Sequence, residues 1–327
     1  MPNGYMQRRR HAVAFSIAAC LLPRLGWAQV MGTKPVRLIV GFTPGGSADF
    51  IARMVAPRLG EALGVPVVVE NRPGASGTLA GAYVARSTPD GTTLLMGSAS
   101  PVLISPQTLP KLPFNTLTDL VGINMVGLTP QVIAVNPATG IKSLKDLLAA
   151  SSTRQLSLGS SGTGGMTHLT IELLIRDAKA KIVHVPYKGA GPSITDALAG
   201  HVQGVVSDLT PLLPFVQEGR LLAVAVTSDK RVDLLPEVPA VSEDIPGFSA
   251  TNWAGVLAPA GTPRPIVEAI DSALRKSMAG EDARAELRKA GFVPAAMPSP
   301  EAFQKFLVQD YARWGKLIKE LGIVTME

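Results

Sequence analysis

The sequence predicts an α/β protein of open, mostly parallel sheets flanked by helices, arranged as two units that face each other. Three observations predict it. Short β-branched runs alternate with helical patterns along most of the chain, as parallel βα units require. Two such units, far apart in sequence, end a strand in a glycine- and serine-rich loop that opens a helix, at 41–47 and at 159–165. Ligands of open α/β sheets sit outside the carboxyl ends of the strands, so two such loops on two units make opposite walls of a cleft.

The first strand is the apolar run 37–40, and Gly41 to Gly46 then breaks every regular pattern. Ser47 is a good N-cap, with Phe50, Ile51, Met54 and Val55 following at helical spacing. Strand, glycine loop and helix start aim unpaired N–H groups and the positive helix end at one spot, which suits an anion. Gly41-x4-Gly46 nearly matches a phosphate-binding loop, but Ser47 stands where that motif needs lysine, and no G-x-G-x-x-G follows. The bland alternative is a tight βα turn whose glycines serve packing.

The helix from Ser47 runs to about Leu63, with a kink or break expected at Pro57. A strand at 65–69 leads to a second glycine-rich loop, 71–78, and a small-residue helix at 79–85. A turn at 89–91 precedes a strand at 92–96 that ends at Gly97-Ser98. The next strand is 132–135, and Ser143 caps a helix through Leu148. A strand at 156–158 runs into the second glycine-serine loop and a helix over 167–175. Strands at 182–185, 202–206 and 221–226 follow, with a helix at 193–199 after the first. Residues 227–250 read as irregular, 253–257 as a strand, and helices fill 266–278, 281–289 and 300–321.

The 327 residues are 46% hydrophobic and 17% charged, ample for one or two domains with full cores. The net charge is +6, but Arg8, Arg9, Arg10 and Arg24 precede Ala28 with no acidic residue among them. Setting those four aside leaves +2, so no nucleic-acid partner is implied. The arginines, the short apolar stretch 12–22 and the small-x-small ending Gly26-Trp27-Ala28 predict a signal peptide over 1–28 and a periplasmic protein. Ile17-Ala18-Ala19-Cys20 offers a rival, a lipid anchor at Cys20, and the arginine run also fits a twin-arginine signal. Once Cys20 is removed the mature chain has no cysteine, which excludes disulfides and thiol catalysis.

No cofactor and no metal are expected, since His11, His168, His184 and His201 show no metal-ligand spacing. No enzyme is expected either. Gly159-Ser160-Ser161-Gly162-Thr163 fails the G-x-S-x-G elbow at its fifth position, and no carboxylate pair stands out. Two alternatives stay open: a periplasmic ligand sensor with no transport role, and an exported α/β hydrolase.

Several motifs occur in order over about 35 to 322. They are Pro44-Gly45-Gly46-Ser47-Ala48-Asp49, Glu70-Asn71-Arg72-Pro73-Gly74-Ala75-Ser76-Gly77, Pro89-Asp90-Gly91-Thr92-Thr93-Leu94-Leu95 and Gly159-Ser160-Ser161-Gly162 with His168. Val185-Pro186-Tyr187-Lys188-Gly189-Ala190-Gly191, the Leu221 to Ser228 run before Arg231, and Trp253-x-Gly255-x-x-Ala258-Pro259-x-Gly261-Thr262-Pro263 complete them. Together they resemble the substrate-binding proteins of tripartite tricarboxylate transporters, the Bug family.

The resemblance implies a two-lobe periplasmic binding protein, type II-like, whose lobes are joined by a two-strand hinge. A small carboxylate (a di- or tricarboxylate, an amino acid or an aromatic acid) would lie in the interlobe cleft, held largely by loop backbone and ordered water. It would be handed to a tripartite tricarboxylate transporter membrane complex, and the receptor is expected to be a monomer. Carried over, first-lobe contacts are Phe42, Pro44, Gly45, Gly46, Ser47, Asp49, Gly74, Ser76, Gly77, Thr78 and Ser98. Second-lobe contacts are Ser160, Ser161, Gly162, Thr163, Gly164, His168, Tyr187, Lys188 and Asp208. With 132–135 and 253–257 as crossing strands, lobe one is 33–130 plus 254–327 and lobe two is 131–253.

Several of these residues also have structural readings. Asp49 is either a helix-terminal charge or a ligand partner, and Lys188 faces either the anion or solvent. His168 is either packed or a ligand contact, His184 reads as core, and Trp253 and Trp314 read as packing anchors. Asp208 repels an anion unless it meets an amine or a hydroxyl. Thr129-Pro130-Gln131 near the hinge, and a glycine loop ending in Gly165 where many relatives have serine, depart from the family pattern.

Overall fold

The computed structural model describes residues 33–323 except 110, 111 and 113. The expected signal segment 1–28, its cleavage point and Cys20 lie outside the described residues.

The first unit runs β1 (Val36–Val40), α1 (Ser47–Leu63), β2 (Val67–Asn71), α2 (Thr78–Ala85) and β3 (Thr93–Ser98). β1 pairs in parallel with both β2 and β3. Val36, Leu38, Ile39 and Val40 are fully buried, as expected of a strand covered on both faces. α1 buries Ile51, Val55, Leu59 and Leu63, four residues apart along one stripe. That stripe continues past Pro57, and α1 runs unbroken to a left-handed Gly64. The expected break does not occur, because burial on both sides of Pro57 outweighs one missing hydrogen bond. Ser47 is not the cap: Gly46 holds that position, and Ser47 is the first helical residue.

After short helical turns comes β4 (Leu120–Val135), sixteen residues long. The second unit follows as α3 (Leu144–Thr153), β5 (Leu156–Ser160), α4 (Met166–Ala178), β6 (Ile182–Pro186), α5 (Ala190–Ala199), β7 (Gly204–Asp208), α6 (Leu209–Gln217) and β8 (Leu222–Val226). The chain closes with β9 (Thr251–Pro259), α7 (Arg264–Met278), α8 (Glu281–Lys289), β10 (Val293–Pro294) and α9 (Pro300–Leu321).

Two lobes result, each with a parallel core edged by antiparallel strands. In the first lobe β3 pairs antiparallel with β9, which pairs with the first part of β4. In the second, β5 is parallel to β6 and β7. β4 serves both: Leu120 to Pro130 pair with β9, whereas Gln131 to Val135 pair with β7 and β8. Pro130 sits where the partners change, a place that tolerates its missing N–H. The return path lies alongside, with Thr227 N donating to Gln131 O and Ala250 N to Thr227 O, both at 2.9 Å. α9 then packs across β4 and reaches α4. Its Phe303 meets Trp253 edge-on at 5.6 Å, and Trp253 and Trp314 are both buried packing residues.

Candidate functional site

Four helices start at one place. Ser47 and Ala48 in the first turn of α1, Met166 and Thr167 in that of α4, Ala190 of α5, and Asp208 before α6 all line a cavity between the lobes. In none of the four does the N-cap residue's own side chain cap the helix, although Ser100 Oγ accepts from Met166 N at the start of α4. First-turn N–H groups have no acceptor within their own helix. The lining therefore offers backbone donors and positive helix ends, a setting for a carboxylate. The cavity measures about 40 Å³, room for one or two waters, so a larger guest requires the lobes to part and reclose.

Among the described residues, Asp208 is the only ionisable one in that lining. The Ser47 hydroxyl donates to its Oδ2 from the opposite lobe. Asn252 Nδ2, on β9, donates to Oδ2 at 3.1 Å, while Asn252 Oδ1 accepts from the Ala99 and Trp253 amides. Burial pushes the Asp208 carboxyl up, and Ser47, Asn252 and the nearby Gln131 amide offset only part of that. Gln131 Oε1 accepts from Thr170 Oγ1 at 2.5 Å, but its Nε2 is buried without a hydrogen-bond partner.

The glycine loops act differently from each other. Gly41 can have no side chain, because a β-carbon there would lie 2.7 Å from the Gly77 backbone. That close approach joins the 41–46 and 74–77 loops. The second-lobe loop is braced internally: Gly162 N donates to Ser160 Oγ, Gly164 N to His168 Nδ1 and Ser161 N to Thr167 Oγ1. It docks across the cleft through Ser76 Oγ to Thr163 O at 2.6 Å and Met166 N to Ser100 Oγ at 2.8 Å. Ser105 and Thr108 both donate to Gly164 O. One side of the cleft is thus sealed by protein contacts, and the cavity lies beside the seal.

Of the residues expected at the ligand, Phe42, Gly46, Ser47, Ser98, Ser161 and Asp208 line the cavity. Gly74, Ser76, Gly77, Thr78, Ser160, Gly162, Thr163 and Gly164 belong to the joined loops and the seal rather than to the lining. Pro44 and Gly45 are exposed, and Gly45 N donates to Asp49. Asp49 is a brace: burial pushes its carboxyl up, but Arg53, the Gly45 amide and Asn71 outweigh that and hold it below the usual range. The Tyr187 hydroxyl donates to Asp196 at 2.7 Å. Burial and then Asp196 push its pKa up to about 12. Lys188 is exposed.

His168 stacks on His184 with ring centroids 3.9 Å apart, and His184 Nε2 meets Ser160 Oγ at 2.5 Å. Both support the second loop from behind, and His184 is half-buried rather than core. Ser100, Gln131, Thr167 and Asn252 line the cavity although the sequence names none of them as a contact, and Thr43, within the expected stretch 42–49, lines it too. Gln131 and Asn252 carry no local signal, since β4 also holds Asn124 and Thr129 and Asn252 follows Thr251 at the start of β9.

Two α/β lobes joined by crossing strands, with a small polar cavity under converging helix starts, define a periplasmic binding-protein fold. The family model described as the tripartite tricarboxylate transporter family receptor matches residues 51–323, and the chain belongs to that family. Protein BugT of Bordetella pertussis is 33% identical over 299 residues, 90% of this chain and 91% of BugT. A solved R. palustris protein with adipate has a TM-score of 0.85 at 31% identity, covering 90% of this chain and 99% of that one. MatC from Rhodopseudomonas palustris, with bound malate, has a TM-score of 0.82 at 27% identity, covering 87% and 98%.

Proposed function

We propose that this chain is an extracytoplasmic solute-binding protein that captures a small carboxylate between its lobes and delivers it to a membrane transporter of the tripartite tricarboxylate type. The observation that carries this reading is the convergence of four helix starts, none capped by its own N-cap side chain, on one interlobe cavity. The adipate and malate held by two similar solved proteins support the ligand class. We take lobe one as 33–130 plus the chain from Thr251, and lobe two as the segment between. The change of β4 partners at Pro130–Gln131 and the start of β9 support those limits. Export by the 1–28 segment, with a mature start near Gln29, completes the proposal. No catalytic step is assigned.

Thermal unfolding against a library of carboxylates tests it. A ligand at 100 times its Kd stabilises the native state by about 2.7 kcal/mol, a Tm rise of several degrees. At least one small carboxylate should produce that rise and be recovered chemically unchanged. A library with no stabilising member, or steady turnover of one, would contradict the reading.

A further inference from the structure

The cavity has an unusual charge balance for a carboxylate site. Among the described residues its one ionisable group is itself a carboxylate, Asp208, only 9% exposed. Its hydrogen-bonding partners, Ser47 and Asn252, are neutral, and so is the nearby Gln131 amide that helps to offset its burial. Directly across the strand pair stands Gln131, fully buried, lining the same cavity, with its Nε2 donor unsatisfied. An unsatisfied buried donor calls for an acceptor, and a buried carboxylate without a cation calls for a positive partner. The two demands lie side by side.

We propose that the cavity selects amino acids, with the ligand's ammonium on Asp208 and its carboxylate on Gln131 Nε2 and the first-turn amides of α1. The inference rests on the receptor reading above and narrows its ligand class. A 2-amino acid carries its two charges on neighbouring carbons, matching an acceptor and a donor that face each other on paired strands. A plain dicarboxylate adds negative charge beside Asp208 with no cation to balance it. A 2-hydroxy acid supplies a donor for Asp208 but leaves the same excess charge. The Ser47 hydroxyl, which donates to Asp208 when the lobes meet, is the group the ammonium replaces.

Calorimetry with ligands that share one skeleton tests this. The wild-type protein is titrated with triads of amino, hydroxy and unsubstituted acid: aspartate, malate and succinate; glutamate, 2-hydroxyglutarate and glutarate; phenylalanine, phenyllactate and phenylpropionate; alanine, lactate and propionate. In whichever skeleton binds, the amino member should bind at least tenfold more tightly than the other two. Asp208→Asn, checked for native folding by circular dichroism, should erase that preference. If the hydroxy or unsubstituted acid binds as tightly as the amino acid to the wild type, the inference is overturned while the receptor reading stands. If no member of any triad binds but another carboxylate without an ammonium does, the inference again fails alone. Binding of no carboxylate at all removes both.

Discussion

Gly162 has a φ of 152°, and a β-carbon built there lies 2.6 Å from Ser76 Oγ. Gly162→Ala should push Ser76 off the Thr163 carbonyl and hold the seal ajar. Calorimetry should show at least a tenfold loss of carboxylate affinity, with Ser76→Gly restoring part of it by removing the clash. Ser47→Ala should change binding less than tenfold, because a bound ammonium takes over its donation to Asp208 and water can fill the place of the hydroxyl.

His184 carries a pH prediction. Burial and then the neighbouring His168 lower its pKa to about 3, from 6.5. Its native form stays neutral while the unfolded chain takes up a proton, so stability falls as pH drops from about 6.5 toward 3. Tm measured over that window should decline in the wild type, and His184→Gln should flatten its upper part. Glycine loops are legible in sequence because they break local periodicity, whereas a capping serine is legible only in part: Ser143 is a cap and Ser47 is not. Gln131 and Asn252 are not legible, since a polar residue within an apolar strand is marked only by whom it meets, and those partners are distant in the chain.

Among the elements, β4 carries the most. It belongs to both lobes, and Thr227 ties it to the returning segment: Thr227 Oγ1 accepts from Gln131 N at 3.0 Å and donates to Ala250 O at 2.6 Å. Thr227→Val leaves those buried backbone groups without that partner, which costs about 1–3 kcal/mol for an unsatisfied group. Denaturant unfolding should show a loss of that order with an unchanged m-value. The sequence marks only the end of this strand, because Gly122, Gly127 and Pro130 interrupt the pattern over 120–131. α6 is hidden for a related reason. Pro211 and Pro214 look like breakers, yet Pro211 sits in the first turn, where a missing N–H costs little. By contrast, 281–289 and 300–321 match the observed helices end to end, because amphipathic surface helices write their whole period locally.

For the whole molecule, the contacts across the cleft describe a closed arrangement. Ser47 reaches Asp208, Ser76 reaches Thr163, and the space left between the lobes is about 40 Å³. The family and the two-unit plan are legible in sequence from ordered motifs; this closure is not, because it depends on contacts between residues such as Ser47 and Asp208, 161 positions apart. A guest the size of a dicarboxylate or amino acid cannot enter without separating the lobes about the β4 and Thr227 crossings. Small-angle X-ray scattering of the purified protein, with and without a stabilising carboxylate, tests that directly. The account predicts a smaller radius of gyration with ligand, as open molecules close around it. An unchanged scattering profile at saturating ligand would contradict capture by lobe closure.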